Sequence, residues 1–167
     1  MVSDRVVTTT AAKAWAVLET VPDPEIPALN VVDLGIVRDV VESADGREVT
    51  VTLTPTYSGC PATEVIARDV RTALESSYDV VDVRTQLSPA WTTDWMRESA
   101  REKLRGFGIA PPEGRTSLPL LDVGAPAACP HCGSHEVEEL AGFGSTPCKA
   151  LWRCVTCREP FDYFKKH

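Results

Sequence analysis

Two CxxC pairs near the C-terminus constrain this chain more than any other feature. The first is CPHC, from Cys129 to Cys132, and the second is CVTC, from Cys154 to Cys157. With about twenty residues between them, the pairs can supply four thiolates to one tetrahedral ion. The module around them has only about forty residues, too few to fold on an apolar core alone. We therefore predict a zinc ribbon with these four cysteines as ligands; a redox dithiol and a rubredoxin-like iron site are the alternatives.

Composition and charge argue against a membrane protein, a secreted protein and a nucleic-acid-binding protein. No apolar run approaches the roughly 20 residues of a membrane helix, and the N-terminus has no apolar segment typical of secretion. We expect a cytoplasmic protein without a membrane span, in which thiols stay reduced and Cys pairs bind metal. The formal net charge of −7 disfavours nucleic acid as a partner, because phosphate binding needs a surplus of Lys and Arg.

The pattern of the chain predicts three regions. Helical spacing, an alternating hairpin, a second helix and a further strand indicate a small two-layer α+β domain over residues 1–109. A stretch rich in Pro and Gly marks a linker over residues 110–127. The zinc ribbon follows over residues 128–167. A third helix is predicted in the first domain, ending at Arg105 with Gly106 as its stop.

Cys60 lies where a strand-like segment gives way to a helix, in TPTYSGCPATEVIA. Pro61 suits the first helical position, so we expect Cys60 to cap the helix with its sulfur facing free amides, which favours thiolate. The first domain has no His to act as a base, so a Cys–His nucleophile is disfavoured. A soft ligand for iron and a small packing residue both remain open.

Three further residues offer metal ligands. Asp23 and Glu25 lie on a stiff Pro-rich segment, where they are either hard oxygen ligands, a docking surface or solvated loop carboxylates. Cys148 is a thiol outside the two pairs; its spacing does not distinguish a functional role from packing beneath the ribbon.

Two tryptophans and two histidines have alternative interpretations. Trp91 and Trp95 are either core residues or anchors for a partner. His131 and His135 are expected on the surface of the ribbon rather than among its ligands.

The motifs DPEIPALNVVDLGIV, residues 23–37, and TPTYSGCP, residues 54–61, resemble the α+β family that includes SufT and other factors of iron–sulfur protein assembly. The SPAWTTDWM segment, the Pro-rich linker and the terminal CREPFDYFK resemble accessory subunits of bacterial phenylacetyl-CoA epoxidase systems. The resemblance implies that Asp23, Glu25 and Cys60 handle iron or an iron–sulfur cluster transiently. It also implies partners, the reductase and di-iron oxygenase subunits of such a system, and a place in phenylacetate degradation.

The leading hypothesis is a maturation factor that does not itself catalyse oxygenation, since neither a GxGxxG flavin fingerprint nor an ExxH di-iron set is present. One accessible thiol cannot hold a cluster tightly, so we expect Cys148, a client or a homodimer to supply the missing ligands. The alternatives are a stable structural subunit of the oxygenase complex, a thiol enzyme acting on CoA thioesters, and a nucleic-acid-binding ribbon, against which the acidity argues.

Overall fold

The computed structural model describes residues 11–113 and 124–167. Its first domain has the predicted order of helix, strand, strand, helix and strand. The bounds are α1 Ala12–Leu18, β1 Val37–Glu42, β2 Glu48–Leu53, α2 Ala62–Glu75 and β3 Val80–Thr85.

The three strands form one sheet in the order β1-β2-β3. β1 and β2 are an antiparallel hairpin, whereas β3 runs parallel to β2 with Val51 opposite Val83. A parallel pair needs a crossover, and α2 provides it. Alternate β2 residues and one face of α2 are buried together, so sheet and helix form the predicted two layers; the buried residues are Val49, Val51, Leu53, Ile66, Val70 and Leu74.

A 3₁₀ turn precedes the third predicted helix, and that helix includes Gly106, which the sequence pattern predicts as its stop. A short 3₁₀ turn occupies Thr93–Trp95, with the Thr92 side chain accepting a hydrogen bond from the Asp94 amide. The helix α3 then spans Glu98–Gly106. This turn packs closely on Gly35, where an added Cβ would lie 2.3 Å from the Trp95 carbonyl oxygen and where φ is +70°. Only glycine meets both conditions.

The second sheet contains the strands of the ribbon and one short strand that precedes it. The strands are β4 Ile109–Ala110, β5 Val137–Ala141, β6 Lys149–Cys154 and β7 Pro160–Phe164, in the order β4-β7-β6-β5. Ala110, predicted to open the linker, thus pairs with Tyr163 in the ribbon sheet. Residues 114–123 of the predicted linker lie outside the described part of the chain.

The ribbon packs directly against the first domain. Phe164 and Cys148 belong to the apolar core that the first domain builds, and not to the core of the ribbon. The Phe164 ring lies 6.1 Å from the Trp91 ring between centroids, and the His167 carbonyl accepts from the Thr93 amide at 3.1 Å. Within residues 11–113 and 124–167, no helix is both long and apolar enough to span a bilayer.

Candidate metal centres

The four cysteines of the two CxxC pairs converge at the tip of the ribbon. All four sulfurs lie within 4.8 Å of one another. The Cys129 and Cys157 sulfurs are 3.8 Å apart, and those of Cys132 and Cys154 are 3.5 Å apart. These separations are too long for disulfides and close to the ~3.8 Å edge of a tetrahedron with zinc–sulfur bonds of ~2.3 Å. The residues therefore fit a closed structural zinc site.

The two CxxC turns have matching backbones. The Gly133 amide donates to the Cys129 carbonyl, and the Arg158 amide donates to the Cys154 carbonyl, both at 2.9 Å. Both residues are left-handed, with φ of 76° at Gly133 and 65° at Arg158. The His131 amide donates to the Cys129 sulfur at 3.4 Å, and the Cys157 amide donates to the Cys154 sulfur at 3.5 Å. Each turn thus directs amides at sulfur, which favours the thiolates that zinc requires.

Neither nearby histidine is placed among these ligands. The His131 ring packs edge-on against Phe161, with centroids 6.5 Å apart. His135 Nδ1 lies 2.6 Å from the Ala127 carbonyl oxygen. Both placements agree with the expectation that cysteines alone form the set.

Cys60 ends the loop between β2 and α2, but it does not cap the helix with its sulfur. Pro61 occupies the N-cap position, and no side chain makes a cap hydrogen bond there. Cys60 instead accepts from the Thr63 amide through its carbonyl and donates its own amide to Tyr57. The predicted cap is therefore wrong, because the regular helix begins one residue later than assumed. Cys60 is 9% exposed and lines a small cavity.

That cavity brings together the four residues that the sequence singled out for iron handling. Asp23, Glu25, Cys60 and Cys148 all line it, and most of the remaining wall is apolar. Its volume of about 20 Å³ has room for one water-sized occupant. The ligand atoms are more widely spread than those of the ribbon, since only the four ribbon cysteines form a group within 4.8 Å among the described residues.

Asp23 holds the Pro-rich segment in shape. Its Oδ1 accepts from the amides of Glu25 at 2.9 Å and Ile26 at 2.7 Å. The side chain is 5% exposed, so the interpretation as a solvated loop carboxylate is wrong for this residue. Burial raises the pKa of Asp23, although the two amides act in the opposite direction. This turn presents the following Glu25 side chain to the cavity.

Cys148 approaches the same cavity from the ribbon. Its sulfur lies 3.7 Å from Glu25 Oε2, across 123 residues of sequence, and 3.1 Å from Thr146 Oγ1. Burial raises the pKa of the Cys148 thiol to about 11, and the Glu25 charge adds to the shift. Burial also raises the pKa of Glu25, with a further contribution from Asp23. The cavity thus places two carboxylates and a thiol in low dielectric, where the charge of Lys149 offsets part of the shift of the two carboxylates.

Two residues near the cavity were not found from the sequence. The buried Tyr57 hydroxyl makes no hydrogen bond of ordinary geometry within the described ranges. Burial raises the pKa of Tyr57 to about 12, and the Cys60 thiol adds to it. Lys149, 5% exposed, lies 3.4 Å from Asp162 and lowers the pKa of Asp23 and Glu25 through its charge. The sequence gives one indication of their position: Tyr57 lies three residues before Cys60, and Lys149 directly follows Cys148.

The two tryptophans have different environments. Trp91 is 5% exposed, donates from Nε1 to the Leu34 carbonyl at 3.0 Å and packs between the domains, which favours the core alternative over docking. Trp95 is half-buried, with the Arg38 guanidinium 3.4 Å from its ring centroid. A docking role for Trp95 stays a prediction.

Known proteins match both parts of this architecture. Residues 11–85 match the family model of the iron–sulfur cluster assembly protein domain, and residues 115–165 match that of the PaaD zinc beta ribbon domain. A crystal structure from Bacillus anthracis, of a domain of unknown function named DUF59, aligns with a TM-score of 0.53 and 31% identity. It covers 57% of this chain and 91% of that one.

The fold and the two cysteine sites define the class, an iron–sulfur assembly domain joined to a zinc ribbon. An Escherichia coli K12 protein, named as one component of a "Putative 1,2-phenylacetyl-CoA epoxidase", is 50% identical over 90% of both chains. The chain belongs to this PaaD family. A Porphyromonas gingivalis protein named Fe-S protein maturation auxiliary factor is 48% identical, over 54% of this chain and 85% of its own length.

Proposed function

We propose that this protein is an accessory component of a phenylacetyl-CoA epoxidase system and handles iron for the reductase or the di-iron oxygenase. The observation that carries the proposal is the convergence of Asp23, Glu25, Cys60 and Cys148 on one cavity. The names of the Escherichia coli and Porphyromonas gingivalis relatives support the system and the role. Iron, singly or in a cluster, is cargo here, whereas zinc at the ribbon is structural.

The ribbon cysteines and the Cys60 cavity offer different ligands, and an iron-handling role needs one structural site and one site that binds iron reversibly. The ribbon offers four cysteines to one ion and leaves no open position, so zinc there has no catalytic part. The Cys60 cavity offers thiols and carboxylates. This mixed set of ligands suits weak and reversible binding of divalent iron. Both sites need reduced thiols, which supports a cytoplasmic location.

A thiol enzyme acting on CoA thioesters is not supported by the cavity. Small-molecule sites have volumes of about 300–1,000 Å³. The space beside Cys60 is about 20 Å³. A stable structural subunit remains the second candidate, because Cys60 is 9% exposed and most of the cavity wall is apolar.

Deletion of the gene separates the two candidates. We expect the reductase and oxygenase polypeptides to remain present while one of them loses most of its iron. The measurement is iron per polypeptide in each partner, purified anaerobically from deletion and parent cells.

Activity of fully metallated, purified components with this protein left out is the matched control. A maturation factor is dispensable in that assay. Normal iron loading in the deletion would refute the proposal, and an absolute requirement for the protein with metallated components would make it a working subunit.

A further inference from the structure

Cys148 belongs to the ribbon by sequence but to the first domain by packing. It immediately precedes β6, yet its side chain joins the apolar core that contains Cys60 and Ile66. It is 3% exposed. Its carbonyl accepts from the Lys165 amide at 3.0 Å, which ties its position to the segment that follows β7. The ribbon sheet therefore fixes this thiol against the first domain.

The contacts of Cys148 place it among ligands rather than among apolar groups alone. Its sulfur lies 3.7 Å from a Glu25 carboxylate oxygen, and the Cys60 side chain lines the same cavity. Asp23 already accepts two backbone hydrogen bonds through Oδ1, so Glu25 is the better placed oxygen donor. Two thiols and one carboxylate then face one small space.

The size of the cavity decides which cargo fits. About 20 Å³ holds one water-sized or ion-sized occupant. Iron–sulfur clusters are usually held by four ligands, mostly thiolates, around two or more iron atoms. Among the described residues that line the cavity, only Cys60 and Cys148 carry thiols. The closed arrangement therefore suits a single ion better than a cluster.

We propose that Cys148 is the second thiol ligand of the Cys60 site, and that Cys60, Cys148 and Glu25 together bind one ferrous ion. This rests on the proposed function and specifies its cargo. Binding releases the two thiol protons to solvent and involves no change of oxidation state. Cys148 and Glu25 are already 3.7 Å apart, but with Cys60 they do not form a group within 4.8 Å, so binding requires the Cys60 side chain to approach that pair. A second copy of the chain is then not needed to complete the site.

The test is an anaerobic titration of the zinc-loaded full chain with Co(II) as a divalent probe. Thiolate-to-cobalt absorption measures the number of sulfurs bound. We expect one Co(II) per wild-type chain. Cys148→Ser and Cys60→Ser should each halve the absorption, because each removes one of two sulfur ligands. Each should also raise the Kd for Co(II) at least about tenfold, since loss of even a residue that only contacts a ligand lowers metal affinity by that factor. The double variant should bind no Co(II) at this site.

Ser145→Ala is the matched control, because Ser145 lies in the same turn but contacts the half-buried Asp162 carboxylate instead. Its absorption should equal that of wild type. One zinc per chain in every variant establishes that the ribbon is intact and has not exchanged its metal.

Full absorption in Cys148→Ser, or no Co(II) binding by wild type beyond zinc exchange, would overturn the inference. The proposed function fails separately. If Cys148→Ser halves the absorption as expected but deletion of the gene leaves partner iron normal, the ion site stands and the maturation role does not.

Discussion

Two residues of one Pro-rich turn have separate tasks. Asp23 is buried and fixes the turn through two amide hydrogen bonds, whereas Glu25 is half-buried and reaches the Cys148 sulfur. The proline residues that flank them limit the conformations of the unfolded segment, so little entropy is lost in holding Glu25. Opposite them, Cys60 is held by backbone hydrogen bonds on both sides of its loop and needs no cap contact.

We predict that Cys60→Ser retains the fold and the zinc but loses maturation activity. Serine has nearly the size of cysteine but is a poor ligand for soft metals. Placing a hydroxyl in a mostly apolar cavity costs about 1–2 kcal/mol of unfolding free energy, which a folded domain tolerates. The measurement is growth on phenylacetate of a host that lacks the native protein, together with zinc content and thermal unfolding of the purified variant.

Ser58→Ala serves as the control for that experiment, since Ser58 lies in the same loop and is exposed to solvent. It should support normal growth. If Cys60→Ser also supports full growth, Cys60 is a packing residue.

At the scale of elements, the periodicity of the chain predicts β2 and α2 best, since β2 buries alternate residues and α2 buries one helical face. β3 has no fully buried residue, so its burial shows no such period. The strand β4 has two residues and therefore no period to detect. The start of α2 differs by one residue from the sequence pattern, a shift that local propensity does not resolve. The position of Cys148 could not be predicted, because its neighbours Glu25 and Cys60 are distant in sequence and meet it only through packing of the ribbon.

The two CxxC turns allow a matched prediction about backbone strain. A left-handed φ destabilises a non-glycine residue by on the order of 1 kcal/mol. Arg158 has such a φ, and the equivalent position of the other turn is occupied by Gly133, which adopts it without strain. Arg158→Gly should raise the unfolding free energy of the zinc-loaded ribbon by up to ~1 kcal/mol, less the added freedom of the unfolded chain. Gly133→Ala should lower it by about 1 kcal/mol or more, through strain alone, since nothing lies within 4 Å of an added Cβ. Chemical denaturation measures both.

Glu159→Gly is the control for flexibility, because Glu159 is exposed and adjacent and is not among the residues with positive φ. It should lower stability by about 0.5–1 kcal/mol. A loss of the same size in Arg158→Gly would contradict the strain argument.

At the scale of the whole molecule, the ribbon is one wall of the Cys60 cavity. Cys148 and Phe164 line it from the ribbon, while Trp91 packs on Phe164 from the other side. The ribbon in turn depends on its four cysteines, because its own apolar core is small. If zinc holds the ribbon together, we expect its loss to open the cavity, because Cys148 and Phe164 would leave the wall.

Removal of zinc should thus expose Cys60. Structural zinc in small modules contributes about 10–16 kcal/mol, so a chelator unfolds the ribbon and withdraws Cys148 and Phe164 from the cavity. We expect alkylation of Cys60, followed by mass spectrometry of its peptide, to be slow in the zinc-loaded chain and at least about tenfold faster after chelation, in proportion to the population of the open form. Restored zinc should restore protection, which controls for irreversible damage. An alkylation rate of Cys60 that is the same with and without zinc would mean that the first domain closes the cavity without the ribbon.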